Sequence, residues 1–373
     1  MSMSMSIPSL SLPELWEVII GFVDKDTDLK AISLVCQCFT SPAQRGLFHD
    51  IDLSVGTSKP HAIRLDAILR ESPHLIPYIR TLGISNGHAR CYEILAGISW
   101  TNVRRLTLYS PLFPEGNESP EHVKRLVRIP SLRSLEFYGS QKSLRYIVSV
   151  CSPNIDTLTL HCLDPSDDDE SDADALPLSR PSIRDFSLAW LDSALPDFIN
   201  DALDFTSLEI LRWESHPPSD LHRFFTEYGS TVRKIDMGIT FESEQWASFD
   251  IALYFPCLKL ITIRHVISSH TTSMLKRLPL DNGIEEIEFD WSLREPTSDD
   301  DVREFETAVL QSLPALCRVK FVVNPSTWKE PNVQRRFPTR KSLLDDRREV
   351  FPRLAREKDG GLIEVWFGQI KVE

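Results

Sequence analysis

The residue types able to do acid–base, nucleophilic or metal chemistry are present in this chain but scattered. Ten histidines and seven cysteines are spread over 373 residues. His161 and His265 fall on or just after expected strands, and His49, His61, His74 and His88 fall in expected turns. There is no GxSxG elbow, P-loop, GxGxxG or HExxH motif to seat a nucleophile, a phosphate or a zinc ion. The densest acidic cluster, DPSDDDESDAD at Asp164–Asp174, lacks the glycine and the ligand spacing of an EF-hand. It reads as a solvated insertion, with Ser166 and Ser171 in a context that an acid-directed kinase could use. No catalytic residue, cofactor or metal is expected. The chain is expected to bind rather than to catalyse.

What would present a binding surface is a repeat. An apolar residue, two spacers, an apolar residue, one spacer and an apolar residue recur eleven times. The copies are Ile79-Leu82-Ile84, Val103-Leu106-Leu108, Leu132-Leu135-Phe137, Ile155-Leu158-Leu160, Ile183-Phe186-Leu188, Leu208-Leu211-Trp213, Val232-Ile235-Met237, Leu258-Ile261-Ile263, Ile284-Ile287-Phe289, Leu316-Val319-Phe321 and Leu362-Val365-Phe367. The first nine are spaced by 23 to 29 residues, which is the mark of a solenoid. Alternate residues of a strand share a face, so the last two apolar groups of each copy turn inward and the first packs at the strand's start. No copy could bury enough surface alone, so the array folds as one unit.

Between the copies the sequence predicts helical returns. These are Ser119–Arg128, Lys142–Val150, Leu191–Leu203, a helix capped by Ser219 and stopped at Gly229, Glu242–Tyr254 and Asp299–Leu313. Alternating strands and helices give an α/β class with a parallel sheet, helices outside and strands lining a curved, concave side. The interval from Leu316 to Leu362 is too long for one return. Its Arg335–Lys358 segment carries nine bases against four acids and reads as an insertion with a final helix, and Leu362–Val372 reads as a closing strand over the open edge.

The residues flanking each inner apolar pair should form an exposed strip on the concave side. The candidates for target binding are Tyr109, Tyr138, His161, Arg212, Lys234, Asp236, Arg264, Glu288, Arg318, Lys320 and Trp366. Aromatics and arginines are the types that anchor interfaces, and the mixed signs along the strip suit a folded protein partner.

Composition sets the remaining bounds. The chain is 42% hydrophobic and 25% charged, ordinary for a globular protein. Of the formal net charge of −13, seven negative charges lie in Asp164–Asp174. The odd cysteine count without a CxxC pair suggests buried, reduced thiols in a cytoplasmic or nuclear protein, with Cys36 and Cys38 inside a helical pattern. The MSMSMS start lacks a basic segment, and Pro8, Pro13 and Glu14 break any apolar core, so no secretory signal is expected and the Asn117 sequon should go unused. The longest apolar run, Val18–Val23, is far short of a membrane span. The basic Arg335–Lys358 stretch could act as a nuclear signal or nucleic-acid patch, but the overall negative charge makes nucleic acid an unfavourable partner.

Residues 11 to 53 read differently. Ser11 and Glu14 form a capping box with Pro13 in the first turn, and Leu15, Val18, Ile19, Phe22 and Val23 follow helical spacing. A second helix carries Leu29, Ile32, Leu34, Val35 and Cys36, and Ser41-Pro42 opens a third that ends near Leu47-Phe48. Three short helices cannot bury a stable core alone, yet they are apolar on more than one face.

The run Leu12-Pro13-Glu14-Leu15, Ile19, Leu29, Leu34-Val35-Cys36, Phe39, Leu47-Phe48 and Ile51 resembles the F-box motif over its whole length, and the chain is similar to divergent fungal F-box proteins with C-terminal leucine-rich repeats. The resemblance implies a three-helix module docked on a Skp-family adaptor and, through it, on a cullin in an SCF ubiquitin ligase. It implies that Leu12, Pro13, Leu15, Ile19, Leu34, Val35 and Phe39 lie at or near the adaptor interface. The layout would be a disordered 1–10, the helical module 11–53 and a solenoid 54–373, with an acidic loop at 164–175 and an insertion and closing element at 325–373. The repeats depart from the family: only Asn324 sits where the turn asparagine is expected, and Pro325 follows it. The alternative is a non-ligase scaffold whose N-terminal helices merely cap the solenoid.

Overall fold

The computed structural model describes residues 12–23, 25–53, 58–85, 89–109, 120–164, 180–189, 197–213, 221–238, 250–264, 269–291, 299–323, 339–356, 362–367 and 370–372. The 1–10 segment, the acidic loop beyond Asp164, His88, His265, the Asn117 sequon, Asn324 and Arg335-Arg336 lie outside the described residues. The chain is α/β and divides into two compact units, residues 1–155 with 168–181 and residues 156–167 with 182–373.

The first unit begins with α1 (Leu12–Ile20), α2 (Asp26–Ser33) and α3 (Gln37–His49). Their core is small: Ile20, Leu29 and Ala43 are buried, with Val23, Ile32, Phe39 and Leu47 packed around them. Trp16 meets Phe39 edge-on at 4.8 Å. Two expectations fail in detail. The second helix stops at Ser33, leaving Leu34 and Val35 in a turn. The third starts at Gln37 and carries Pro42 in its interior rather than at its start. Cys36 and Cys38 therefore flank a helix start, half-buried and exposed, with their Sγ atoms 2.8 Å apart. Of the cysteines whose exposure is described, only Cys91 is buried, so the expected pattern of buried thiols does not hold.

Strands β1 (Asp50–Leu53), β2 (Thr81–Ile84), β3 (Arg105–Tyr109) and β4 (Ser134–Ser140) follow, β1 to β4 pairing in parallel and in sequence order. β1 departs from the expectation that residues 50–53 end the helical module. Ile51 and Leu53 lie opposite Leu82 and Ile84, so they form a further rung of the ladder. Helices Ser58–Glu71, Ala89–Ala96, Pro120–Val127 and Gln141–Val150 return the chain between rungs, and successive ones pack on each other. The last is capped by Ser140, whose hydroxyl accepts from the Ser143 N–H. His49 and His61, expected in turns, are helical.

The second unit holds β5 (Thr157–Asp164), β6 (Asp185–Ala189), β7 (Ile210–Trp213), β8 (Lys234–Gly238), β9 (Leu260–Arg264), β10 (Glu286–Trp291), β11 (Arg318–Val323), β12 (Ile363–Phe367) and β13 (Ile370–Val372). β5 through β12 run parallel in chain order, and β13 turns back antiparallel on β12. Neither unit closes into a barrel.

The apolar triplets make this ladder. The first residue of every copy is at most 5% exposed. The second and third residues align from strand to strand, as in Phe186–Leu211–Ile235–Ile261–Ile287–Val319. The last copy is offset: Ile363 and Val365, not Val365 and Phe367, stand opposite Val319 and Phe321. Aromatic rings from the returns fill this face, Phe224 against Phe186 and Phe205, and Phe225 against Trp213.

The backbone fixes each rung's start. The Arg184 carbonyl accepts from the N–H groups of Glu209 and Ile210, and the Glu209 carbonyl accepts in turn from Arg233 and Lys234. The closing element is a helix pair, Arg340–Val350 and Pro352–Arg356, followed by the β12–β13 hairpin rather than one strand. The buried Glu306 carboxylate accepts the N–H groups of Arg353 and Leu354 at 2.6 and 2.8 Å, satisfying the free donors of the second helix's first turn.

Candidate functional site

Two surfaces can bind a partner. The first is the outward side of α1 and of the turns that follow α1 and α2. Three short helices offer few interior positions, and Ile20 and Leu29 already take them. The remaining apolar side chains are left outside: Leu15 is 40% exposed, Val18 49%, Ile19 45%, Phe22 80%, Leu34 87% and Val35 69%. Among the described residues, large apolar groups this exposed are otherwise only Ile63, Leu253 and Leu280. Exposed apolar groups concentrated in one small module are the kind of surface that proteins bury against a partner. Phe39, by contrast, is half-buried against Trp16 and belongs to the module's own core. Leu12 and Pro13 form the first turn of α1, and their side chains lie outside the described set.

α3 is tied to the repeats. Ser41 Oγ and the Tyr78 hydroxyl are 3.1 Å apart, and the Arg45 guanidinium lies 5.5 Å over the Tyr78 ring while its Nη1 donates to Glu17 at 2.7 Å. Beneath this contact is a cavity of about 750 Å³, with Ile20, Val23, Leu29 and Leu47 on its apolar side and Arg45, His49, Asp50 and Arg80 on its polar side.

The second surface is the strand face opposite the apolar rows. It is less open than expected, because its charges are spent on one another. Asp236 is buried and accepts from Arg264 Nε and Nη2 at 2.9 and 2.7 Å, with Arg212 Nε at 3.8 Å; Arg212 also bridges to Asp185 on the far side. Burial pushes the Asp185 carboxyl above the ordinary range, although Arg212 pulls the other way. Farther along, Lys320 Nζ donates to Glu288 at 2.9 Å and lies 4.8 Å over the Trp366 ring. Arg318 joins Glu286 at 2.9 Å and approaches Glu364 at 3.6 Å.

In the first unit Tyr109 and Tyr138 stack at 4.4 Å, and the Tyr138 hydroxyl donates to Glu136 at 3.0 Å. Burial, and after it Glu136, push the Tyr138 hydroxyl well above its usual range. Thus Arg212, Asp236 and Arg264 form one cluster, and Glu288, Arg318, Lys320 and Trp366 a second. Tyr109 and Tyr138 form a third. Lys234 is half-buried and its charge is felt by Asp185 at the edge of the first cluster, and His161 is half-buried.

Aligning the copies on their apolar triplets would have set Arg212 beside Asp236 and Glu288 beside Lys320. Among the described residues no group of three or more His, Cys, Asp or Glu could hold a metal ion, and no helix is long and apolar enough to cross a membrane. Compared with protein-family models and with curated proteins, the chain matches none.

Proposed function

We propose that this protein is the target-recruiting subunit of a cullin-type ubiquitin ligase, with α1 and α2 docked on a Skp-family adaptor as the F-box resemblance implies and the repeats holding a protein target. One observation carries the reading: six large apolar side chains, Leu15, Val18, Ile19, Phe22, Leu34 and Val35, stand exposed on a module too small to cover them. The function needs no covalent chemistry from this chain. It raises the concentration of the target beside the charged enzyme.

The test is a pull-down of purified Skp-family adaptor with Leu34→Asp/Val35→Asp. Both residues lie in an exposed turn, so the variant should melt like the native protein and lose adaptor binding by more than about a hundredfold, as for loss of a central interface anchor. Retention of binding, or no binding by the native protein, overturns the proposal.

A second reading has its own support. α3 runs directly into β1 and packs on the Tyr78 turn, so it also acts as a cap on the first rung. If α1 to α3 were only a cap, the double aspartate variant would change nothing but solubility.

A further inference from the structure

The residue after the first apolar group of each copy forms a row of its own, and in the first unit that row is all arginine. The Arg104 N–H donates to the Arg80 carbonyl at 2.8 Å and the Arg133 N–H to the Arg104 carbonyl at 2.9 Å, so Arg80, Arg104 and Arg133 stand on consecutive rungs. All three side chains are exposed, as is Arg105 beside them. In the second unit the same position carries both signs: Arg184 is bridged to Glu209 at 2.9 Å and Lys259 to Glu285 at 2.7 Å, although Arg233 and Lys259 stand on consecutive rungs.

Like charges on neighbouring rungs repel, and opposite charges there attract. The second unit follows that rule except at Arg233–Lys259, whereas every step among the first unit's three arginines breaks it. Among the described residues no ion pair neutralises Arg80, Arg104 or Arg133. The Arg133 Nη1 donates to the Asn154 carbonyl at 3.0 Å, and the charge of Arg105 is felt by Asp50.

We propose that the Arg80–Arg104–Arg133 row is a docking site for an acid-rich protein segment. Rungs are about 4.8 Å apart, so the row is only about 10 Å long. Carboxylates one helical turn apart have Cβ spacings of about 5–6 Å, so the acidic stripe of a helix matches it. A nucleic acid is disfavoured, because its phosphates continue past so short a row onto a chain of net charge −13. The inference specifies the target half of the function proposed above and does not depend on the adaptor half.

The experiment uses the full chain without adaptor. A fluorescent alanine-based peptide with glutamate at every fourth position is titrated by anisotropy, beside its glutamine counterpart and a single-stranded oligonucleotide of equal charge. The glutamate peptide should bind, more weakly as salt is raised, and the glutamine peptide should not. Arg104→Glu/Arg133→Glu should weaken binding at least about tenfold, whereas Arg233→Glu, at the same position of the second unit, should change it less than about twofold. Arg104→Gln should weaken binding and leave the melting temperature equal or higher, since it relieves repulsion.

Equal binding of both peptides, equal affinity in the two charge-reversed proteins, or tighter binding of the oligonucleotide would each refute the site. So would an Arg104→Gln protein that melts lower yet binds normally. None of these results bears on whether the helices reach an adaptor.

Discussion

Asp236 is the residue on which the charged face turns. It is buried and shared by two arginines from the rungs on either side. Removing a buried partner leaves the remaining charges uncompensated, which costs more than the pair contributes net. Asp236→Ala should lower stability to urea by about 2 kcal/mol, since Arg212 and Arg264 are partly solvated and can recover some hydration. A loss below about 0.5 kcal/mol would mean that the cluster is a surface ornament.

Glu364 gives a pH signature. Burial works to raise its carboxyl, but hydrogen bonds from Lys371 and Trp366 and the charges of Lys371 and Arg318 outweigh it and hold the carboxyl below the ordinary range. A depressed folded value stabilises above the unfolded carboxyl's value of about 4.3, and the contribution is lost as pH falls through the folded one. Amide exchange in β13 should therefore quicken on acidification below that range, and Glu364→Gln should flatten the response.

At the scale of elements, successive returns pass close to one another, and Gly229, just after the helix Leu221–Tyr228, lies against the end of the helix Ile251–Tyr254. A Cβ there would stand 2.3 Å from the Tyr254 carbonyl oxygen and 3.1 Å from the Phe255 ring. Gly229→Ala should cost about 1–3 kcal/mol through overpacking, measured by thermal melting.

The parallel ladder and its inward residues were legible in the sequence because the period repeats in every copy and burial enforces it. The helix Asp299–Ser312 was legible to within one residue of its end. β1 was not, because Ile51 and Leu53 offer only half of the triplet and follow α3 without a break. The offset of the last copy was hidden by the long interval before it, where Ile363, Val365 and Phe367 alternate equally well in either register. At the helical module the pattern gave the apolar residues but not which of them face inward. That choice depends on where α2 stops, and Leu34 and Val35 lie just past its last turn. The pairing of the strip's charges is hard to read from the sequence because cross-rung partners lie 24 to 46 residues apart, from Arg212–Asp236 to Arg318–Glu364.

At the scale of the whole molecule, stability accrues from neighbouring rungs rather than from one centre. In the second unit Phe224 touches Phe186, Phe205, Phe225 and Tyr228. Phe224→Ala should cost about 3–5 kcal/mol and accelerate amide exchange in residues 182–238 while leaving 58–109 unchanged.

The hairpin β12–β13 has a further effect. A stack of parallel rungs is in principle endless: the last strand of one copy offers the same row of donors and acceptors that the first strand of another could extend. By folding three residues back in the opposite direction, Ile370–Val372 presents newcomers with a short edge of the wrong polarity. Lys371→Pro, which removes a donor and the tie to Glu364, should make light scattering rise more steeply with concentration than in the native protein, as head-to-tail fibres begin to form.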